Sequence, residues 1–281
     1  IQGGTNFPNQ PDQCREFLLA RSSTDIYVEL EGETGFTNII ARLLKIPSLE
    51  EGLLNQPIDG CLFIDPTTRC SSHPRVLKGE MPPRISSLDD IPSPYLNGML
   101  DHFFDGRLTP FLETNRGCPY RCTFCAWGMA SHNIVSRLNI DTTLEEIKYI
   151  GKRSKANLWT ICDANFGILK RDVEIAKAIR KVHDENHYPN KCSLWLSKNT
   201  TSRNLEIAAI LEDMITPVMA IQSMEEEVLA NIKRDNISSD TYVEYQKRFH
   251  SIGSTTYSEL IIPLPGETFE THLNGLRKLF D

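Results

Sequence analysis

The chain has 281 residues, 40% hydrophobic and 24% charged, which is ordinary for a globular protein of one large domain or one and a half. Eight cysteines are too few for a disulfide-rich secreted domain, and no apolar run approaches the roughly 20 residues of a membrane-spanning helix. The net charge of −7, with no basic block, gives no electrostatic reason to expect a nucleic-acid partner.

The first sixty residues alternate between strand-like and helix-like patterns. Gly3 and Gly4 end a predicted strand, where they suit close approach of the backbone to a ligand or, more simply, a plain turn. A helix over 11–20 and a strand over 26–30 follow. After a turn at 31–33, a second helix over 35–44 places apolar residues on one face: Phe36, Ile39, Ile40, Leu43 and Leu44. This order fits the second half of a doubly wound α/β sheet over residues 1–58.

A linker is predicted over residues 59–106. It contains short extended pieces over 60–64 and 75–85, then the proline-containing segment 87–96, which reads SLDDIPSPYL.

Three cysteines within eight residues follow the linker. Cys118, Cys122 and Cys125 have the spacing C-x3-C-x2-C, with Phe124 directly before the last. An electron-transfer iron–sulfur cluster normally has four cysteine ligands, so a loop with three leaves one iron free to bind another molecule. The alternative is a zinc site with His132 as fourth ligand, although structural zinc sites usually present two separated cysteine pairs. The remaining cysteines are scattered, and we expect buried structural thiols: Cys14, Cys61, Cys70, Cys162 and Cys192.

This motif resembles the signature of the radical S-adenosylmethionine (SAM) enzymes. The resemblance implies a [4Fe-4S] cluster whose open iron binds the amino and carboxylate groups of SAM. One electron then cleaves SAM to a 5′-deoxyadenosyl radical, and the protein supplies position and exclusion of water. Reduced cysteines and an oxygen-sensitive cluster indicate a cytoplasmic protein.

From residue 109 onward, strands and helices alternate. A capping box at Thr142 and Glu145 predicts a helix start. Strands are predicted over 109–115, 157–163, 192–197, 218–223 and 258–262, with helices over 142–153, 172–184, 204–214, 225–233 and 239–252 and a final helix after Glu267. This pattern favours parallel βα units. The resemblance implies a partial, TIM-like (β/α)6 barrel over 107–281, truncated after strand five, and we expect the chain to be a fragment.

Barrel enzymes place their active sites at the carboxyl ends of the strands. The resemblance implies that the three cysteines ligate the cluster and that SAM contacts come from the strand ends. These contacts are Phe124 near the adenine, Asp163 and Asn165 in a D-x-N-F segment near the amino group, Ser197 and Lys198 near the ribose or carboxylate, Gln222 on the ribose and Ile262 against the adenine. The alternatives are simple packing for Phe124, a turn-capping role for Asp163 and a solvated charge for Lys198.

The N-terminal part is similar to the end of the cobalamin-binding domain that precedes many radical SAM domains. The Gly-Gly loop, the Glu31-Gly32-Glu33 turn and the D-x-x-P-x-P linker carry this similarity. It implies that residues 1–58 are the C-terminal part of a Rossmann-like cobalamin-binding domain, with cobalamin near Gly3 and Gly4.

The expected function is hydrogen-atom abstraction followed by cobalamin-dependent methyl transfer to an unactivated carbon. Alternatives are a radical SAM oxidative cyclase or methylthiotransferase, or a non-catalytic iron–sulfur or zinc protein with a sensor or structural role. A sensor needs the cysteines but not the strand-end segments, so their order across 109–270 favours an enzyme. The expected partners are a small-molecule or peptide substrate and a reductant such as flavodoxin or ferredoxin.

Overall fold

The structure is a computed structural model that describes residues 1–4, 7–8, 10–46, 55–128, 133–199 and 202–280. The chain forms two compact units, Ile1–Ser86 and Ser87–Asp281. The predicted linker over 59–106 is therefore divided between them. Within the described ranges, no helix has both the length and the apolar character needed to cross a membrane.

The first unit is built on one mixed sheet. Its elements are β1 (Gln2–Gly4), α1 (Pro11–Leu19), β2 (Tyr27–Glu29), α2 (Gly32–Leu43), β3 (Cys61–Ile64) and β4 (Val76–Lys78). The strands lie in chain order, β1 and β2 pair in parallel, and β3 and β4 extend the sheet in antiparallel fashion. Helix α2 starts at Gly32 with Glu31 as its N-cap residue, so the turn predicted over 31–33 is wrong by one or two residues.

Side chains of this sheet alternate between two apolar clusters, as the two-residue strand period requires. One cluster contains Val28 and Phe63, and the other contains Tyr27 and Leu62. On α2 only Ile39 of the predicted apolar face is fully buried, whereas Phe36 and Leu44 are exposed. The predicted face was therefore too wide, because the helix lies on the sheet along a narrow line at Ile39.

The second unit alternates strands and helices, as predicted. Its elements are β5 (Phe111–Leu112), β6 (Asn115–Arg116), β7 (Ser136–Arg137), α3 (Ile140–Gly151), β8 (Leu158–Ile161), α4 (Asp172–Asn186), β9 (Lys191–Ser193), α5 (Ser202–Leu211), β10 (Val218–Gln222), α6 (Glu226–Asn231), α7 (Ser239–Ser251), β11 (Tyr257–Leu260) and α8 (Phe269–Phe280). Strands β5, β8 and β9 form a parallel sheet, and β10 and β11 form a parallel pair. The α/β class is confirmed.

Helix α3 starts earlier than its predicted capping box. It begins at Ile140, and the Asn139 side chain accepts a hydrogen bond from the backbone N–H of Asp141. Asparagine is at least as good an N-cap residue as threonine.

The core of the second unit lies between the parallel strands and the helices. Trp159 and Ile161 on β8 are fully buried there against Ile175 and Ile179 of α4. Because side chains alternate along a strand, Cys162 points away from the buried face that carries Ile161, and it is exposed.

The prediction that all five scattered cysteines are buried is therefore wrong. Only Cys61 and Cys192 are buried, Cys14 is half-buried, and Cys70 and Cys162 are exposed. All eight cysteines carry free thiols.

The proline-containing segment after Ser86 covers the start of the parallel sheet. The Tyr95 hydroxyl donates to the carbonyl oxygen of Phe111 at 2.8 Å and accepts from the Phe111 N–H at 3.0 Å. Asp89 accepts a hydrogen bond from the backbone N–H of Asn139 at 2.7 Å, just before α3. These contacts give the predicted D-x-x-P-x-P segment a structural role in this unit.

Candidate functional site

The cysteine loop is closed at its base by a short antiparallel ladder, which the sequence analysis did not predict. Asn115 pairs with Arg137 and Arg116 with Ser136, so the chain leaves and re-enters the fold at one place. The Arg171 guanidinium donates to the carbonyl oxygens of Leu138 and of Thr114, the latter at 2.6 Å. These contacts hold the two ends of the loop together.

The three cysteines lie within this loop. Cys118 and Cys122 are buried and Cys125 is half-buried, and the backbone N–H of Thr123 donates to the Ile232 carbonyl oxygen at 3.0 Å. Of the residues that the structure describes, no three Cys, His, Asp or Glu side chains converge closely enough to hold one metal ion.

A single zinc ion would require such convergence, with each sulfur at about 2.3 Å from the metal. In an iron–sulfur cluster, by contrast, each thiolate binds a different iron, so the sulfurs stay apart. A cluster of this kind needs one thiolate for each of three irons, and the loop supplies three thiols. The proposed fourth zinc ligand, His132, lies outside the described residues.

A cleft of about 650 Å³ opens beside Cys125 and is lined in part by residues of β10 and β11. This volume lies in the usual range for small-ligand pockets, about 300–1,000 Å³. Its walls include the aromatic rings of Phe124 and Trp195, together with Gln222 and Ile261. Of the predicted SAM contacts, the cleft brings together Phe124 and Gln222 next to a predicted cluster ligand.

Gln222 occupies a strained position at the end of β10. Its φ is +71°, a region that non-glycine residues rarely adopt, and the pairing with β11 shifts between Ala220 and Gln222. Such irregularities re-aim a side chain, and strained backbone often marks functional sites. The side chain of Gln222 lines the cleft, where an amide can bind a hydroxyl group.

Asp163 faces the protein and not the cleft. Its carboxylate accepts hydrogen bonds from the backbone N–H groups of Thr114 (2.7 Å) and Asn115 (3.1 Å), and from both of their side chains. Burial raises the pKa of Asp163 to about 7, against the effect of these donors. The residue holds the chain just before the cysteine loop in place.

Two further predicted contacts are also buried. Ser197 donates to Asn204 Oδ1 at 2.9 Å, and Asn204 Nδ2 donates back to the Ser197 carbonyl oxygen at 3.0 Å. Asn165 is fully buried, and neither its amide nitrogen nor its amide oxygen has a hydrogen-bond partner in the structure. An unpaired buried amide costs about 1–3 kcal/mol, so Asn165 calls for a ligand or a water molecule.

Ile262 lies outside the cleft and is 65% exposed, whereas its neighbour Ile261 lines the wall. The Ile261 N–H donates to the Gln222 carbonyl oxygen at 3.0 Å, which fixes this register.

Sequence reasoning missed one residue of the site. Trp195 is 48% exposed in the cleft, because its neighbours Leu194 and Leu196 turn into the core. That alternation was visible in the sequence. Lys198 was predicted either to reach SAM or to carry a solvated charge, and its Nζ lies 3.7 Å from Cys118 Sγ and 5.8 Å from the centre of the Tyr120 ring.

In the first unit, Gly3 and Gly4 are exposed at the carboxyl end of β1. A Cβ atom on Gly4, whose φ is +122°, would meet nothing within 4 Å, and the same holds for Gly32 at the start of α2. In open parallel sheets ligands bind beyond the carboxyl ends of the strands. The open space at Gly4 and Gly32 is therefore compatible with a bound group at this edge.

Parallel strands followed by helices, with a three-thiol loop at the cleft, define a cluster-binding α/β protein. The sequence matches the Radical SAM superfamily over residues 112–278, and the chain belongs to this superfamily.

Two curated relatives match the whole chain. It is 30% identical to the cobalamin-dependent radical SAM methyltransferase TokK of Streptomyces tokunonensis and 32% identical to the 2-(S-pantetheinyl)-carbapenam-3-carboxylate methyltransferase of Streptantibioticus cattleyicolor. The chain spans 40% of the length of each. It also shares its fold with the radical SAM methyltransferase TsrM of Kitasatospora setae, solved with cobalamin and a [4Fe-4S] cluster (TM-score 0.62, 16% identity, 99% of this chain and 54% of that one).

Proposed function

We propose that the protein is a radical SAM enzyme that transfers a methyl group to an unactivated carbon, with cobalamin as methyl carrier. The observation that carries this proposal is the shared wall of the 650 Å³ cleft, formed by Cys125 of the three-thiol loop together with Phe124 and Gln222. When bound, the cluster supplies one-electron cleavage of SAM and hence hydrogen-atom abstraction.

The chain's own residues bind the cluster and SAM and hold them in position. Cys118, Cys122 and Cys125 each supply one thiolate. Gln222, aimed by its strained backbone, hydrogen-bonds the ribose of SAM, and Phe124 covers the adenine beside Ile261. In this assignment Ile261 takes the position against the adenine that was predicted for Ile262.

The buried polar residues act one layer behind the cleft. Asp163 fixes the entry of the cysteine loop through Thr114 and Asn115, and Ser197 fixes the third strand end through Asn204. Asn165 offers the unpaired amide that a bound SAM amino group or a bridging water would satisfy.

Phe124 and Trp195 present aromatic surface to the cleft, which favours a substrate with apolar carbon over a highly charged one. The two curated relatives are methyltransferases, and one is named for a carbapenam substrate. Methyl transfer to a small organic molecule therefore ranks above cyclisation, methylthiolation or a peptide substrate.

We infer further that residues 107–281 belong to a partial (β/α)6 barrel, and that the parallel β1–β2 part of the first unit is the end of a Rossmann-like cobalamin-binding domain. The glycine-lined edge at Gly4 and Gly32 supports the second inference. The proposed setting is the cytoplasm, with a flavodoxin or ferredoxin as electron donor.

The test uses the full-length protein, reconstituted and reduced without oxygen in the presence of SAM. We expect 5′-deoxyadenosine and S-adenosylhomocysteine to form and a cobalamin absorbance to be visible. The Cys122→Ala variant should lose 5′-deoxyadenosine, whereas Cys70→Ala, which removes an exposed thiol of the first unit, should retain it. Zinc in place of iron, with neither product, would contradict the proposal. Formation of 5′-deoxyadenosine without S-adenosylhomocysteine or cobalamin would support radical chemistry and contradict methyl transfer.

A further inference from the structure

The fold fixes the position of Lys198 next to the cysteine loop. The chain just before it is held by the Ser197–Asn204 pair and by the parallel bridge between Phe166 and Leu196. Its side chain is half-buried and reaches Cys118 Sγ, with Nζ at 3.7 Å. A solvated surface lysine would show neither feature.

Tyr120, inside the cysteine loop, completes this arrangement. Its ring centre lies 5.8 Å from Lys198 Nζ, within the range of a cation–π contact. Lys198 is therefore directed to the loop by a sulfur on one side and an aromatic face on the other.

We propose that Lys198 donates a charge-assisted hydrogen bond to the Cys118 thiolate of the assembled cluster and thereby raises the reduction potential of that cluster. The inference rests on the proposed function. Reduction potentials of iron–sulfur clusters respond to net charge and to hydrogen bonds on the sulfurs, and hydrogen bonds to charged groups are the stronger ones. A nearby positive charge stabilises the reduced cluster, which carries one more electron, over the oxidised one.

The experiment is an anaerobic redox titration of the full-length protein without SAM, followed by electron paramagnetic resonance. One electron passes from dithionite to the cluster, and no bond is made or broken. In Lys198→Met we expect the equilibrium constant for reduction to fall about tenfold, which is about 59 mV toward negative potential for a one-electron couple. Lys198→Arg keeps the charge and should show less than half of that shift.

The matched control is Lys181→Met, which removes one positive charge from the exposed surface of α4. Equal potentials for wild type and Lys198→Met, or an equal shift in Lys181→Met, would overturn the proposal. Weaker SAM binding in Lys198→Met with an unchanged SAM-free potential would also overturn it, because the lysine would then serve SAM.

Iron and sulfide content is measured for every variant, so that loss of the cluster is distinguished from a change in potential. If Lys198→Met does not assemble a cluster, Lys198→Gln is compared with Lys198→Arg. A more negative potential in the glutamine variant supports the proposal, and equal potentials contradict it. A wild-type protein that forms deoxyadenosine but shows no shift in its variants rejects this inference alone, whereas a wild type without a [4Fe-4S] signal rejects the proposed function.

Discussion

The buried carboxyl of Asp163 makes the stability of the second unit depend on pH. Burial raises its pKa from 3.8 to about 7, so the folded chain binds this proton more tightly than the unfolded chain does. The resulting stabilisation is complete below about pH 4 and is lost as the pH rises through about 7. The interval from about pH 5 to the folded pKa of about 7 is about two pH units. At about 1.4 kcal/mol per unit, the Asp163 contribution falls by about 3 kcal/mol.

The assay is urea unfolding of the cluster-free protein at about pH 5 and about pH 8, followed by the fluorescence of its tryptophans, among them the fully buried Trp159. Asp163→Asn cannot ionise at this position. From the lower to the higher pH, we expect the free energy of unfolding of wild type to fall by about 3 kcal/mol more than that of Asp163→Asn. Asp240→Asn, which alters an exposed aspartate, should behave as wild type.

The opposite result is physically possible, which makes the measurement decisive. Thr114 and Asn115 donate four hydrogen bonds to the carboxylate, and each of them favours the ionised form. If these donors outweighed burial, the folded pKa would lie below 3.8 and wild type would gain stability as the pH rises. An equal pH dependence in wild type and Asp163→Asn would refute the reasoning as well.

Three further changes test other parts of the structure. A Cβ atom on Gly35 would lie 2.7 Å from Val28 Cγ1, so Gly35→Ala should lower the free energy of unfolding by about 1–3 kcal/mol. Gly32→Ala places its Cβ atom in open space and should lower the free energy of unfolding by less than about 1 kcal/mol. Equal losses for the two variants in urea titrations would contradict this. Tyr95→Phe removes two hydrogen bonds to Phe111 and should cost about 1–3 kcal/mol in the same assay, and an unchanged midpoint would reject their importance. Gln222→Ala should weaken SAM binding about tenfold by equilibrium dialysis, while Gln56→Ala should not; unchanged affinity would remove Gln222 from the SAM site.

Much of the second unit could be predicted because its signals are local. The spacing of Cys118, Cys122 and Cys125 and the alternation of strands and helices are readable from neighbouring residues alone. The start of α3 was misjudged by two residues because Asn139 and Thr142 are both good caps. Two suitable N-cap residues lie within four positions, so the local sequence alone does not decide where the helix starts.

The site residues were harder, because their partners are distant in the sequence. Asp163 finds its donors 48 and 49 residues earlier, and Ser197 finds Asn204 in the following helix. Both were expected to face a ligand, since a polar residue at a strand end has no visible local partner. Lys198 shows the converse case, because its contact with Cys118 spans 80 residues.

The β6–β7 ladder and the two Arg171 hydrogen bonds hold the two ends of the cysteine loop together. Arg171 reaches Thr114 before the loop and Leu138 after it, so that one side chain joins both ends. A substitution inside the loop therefore leaves its points of entry and exit in place, and the sequence there can change without any rebuilding of the parallel sheet.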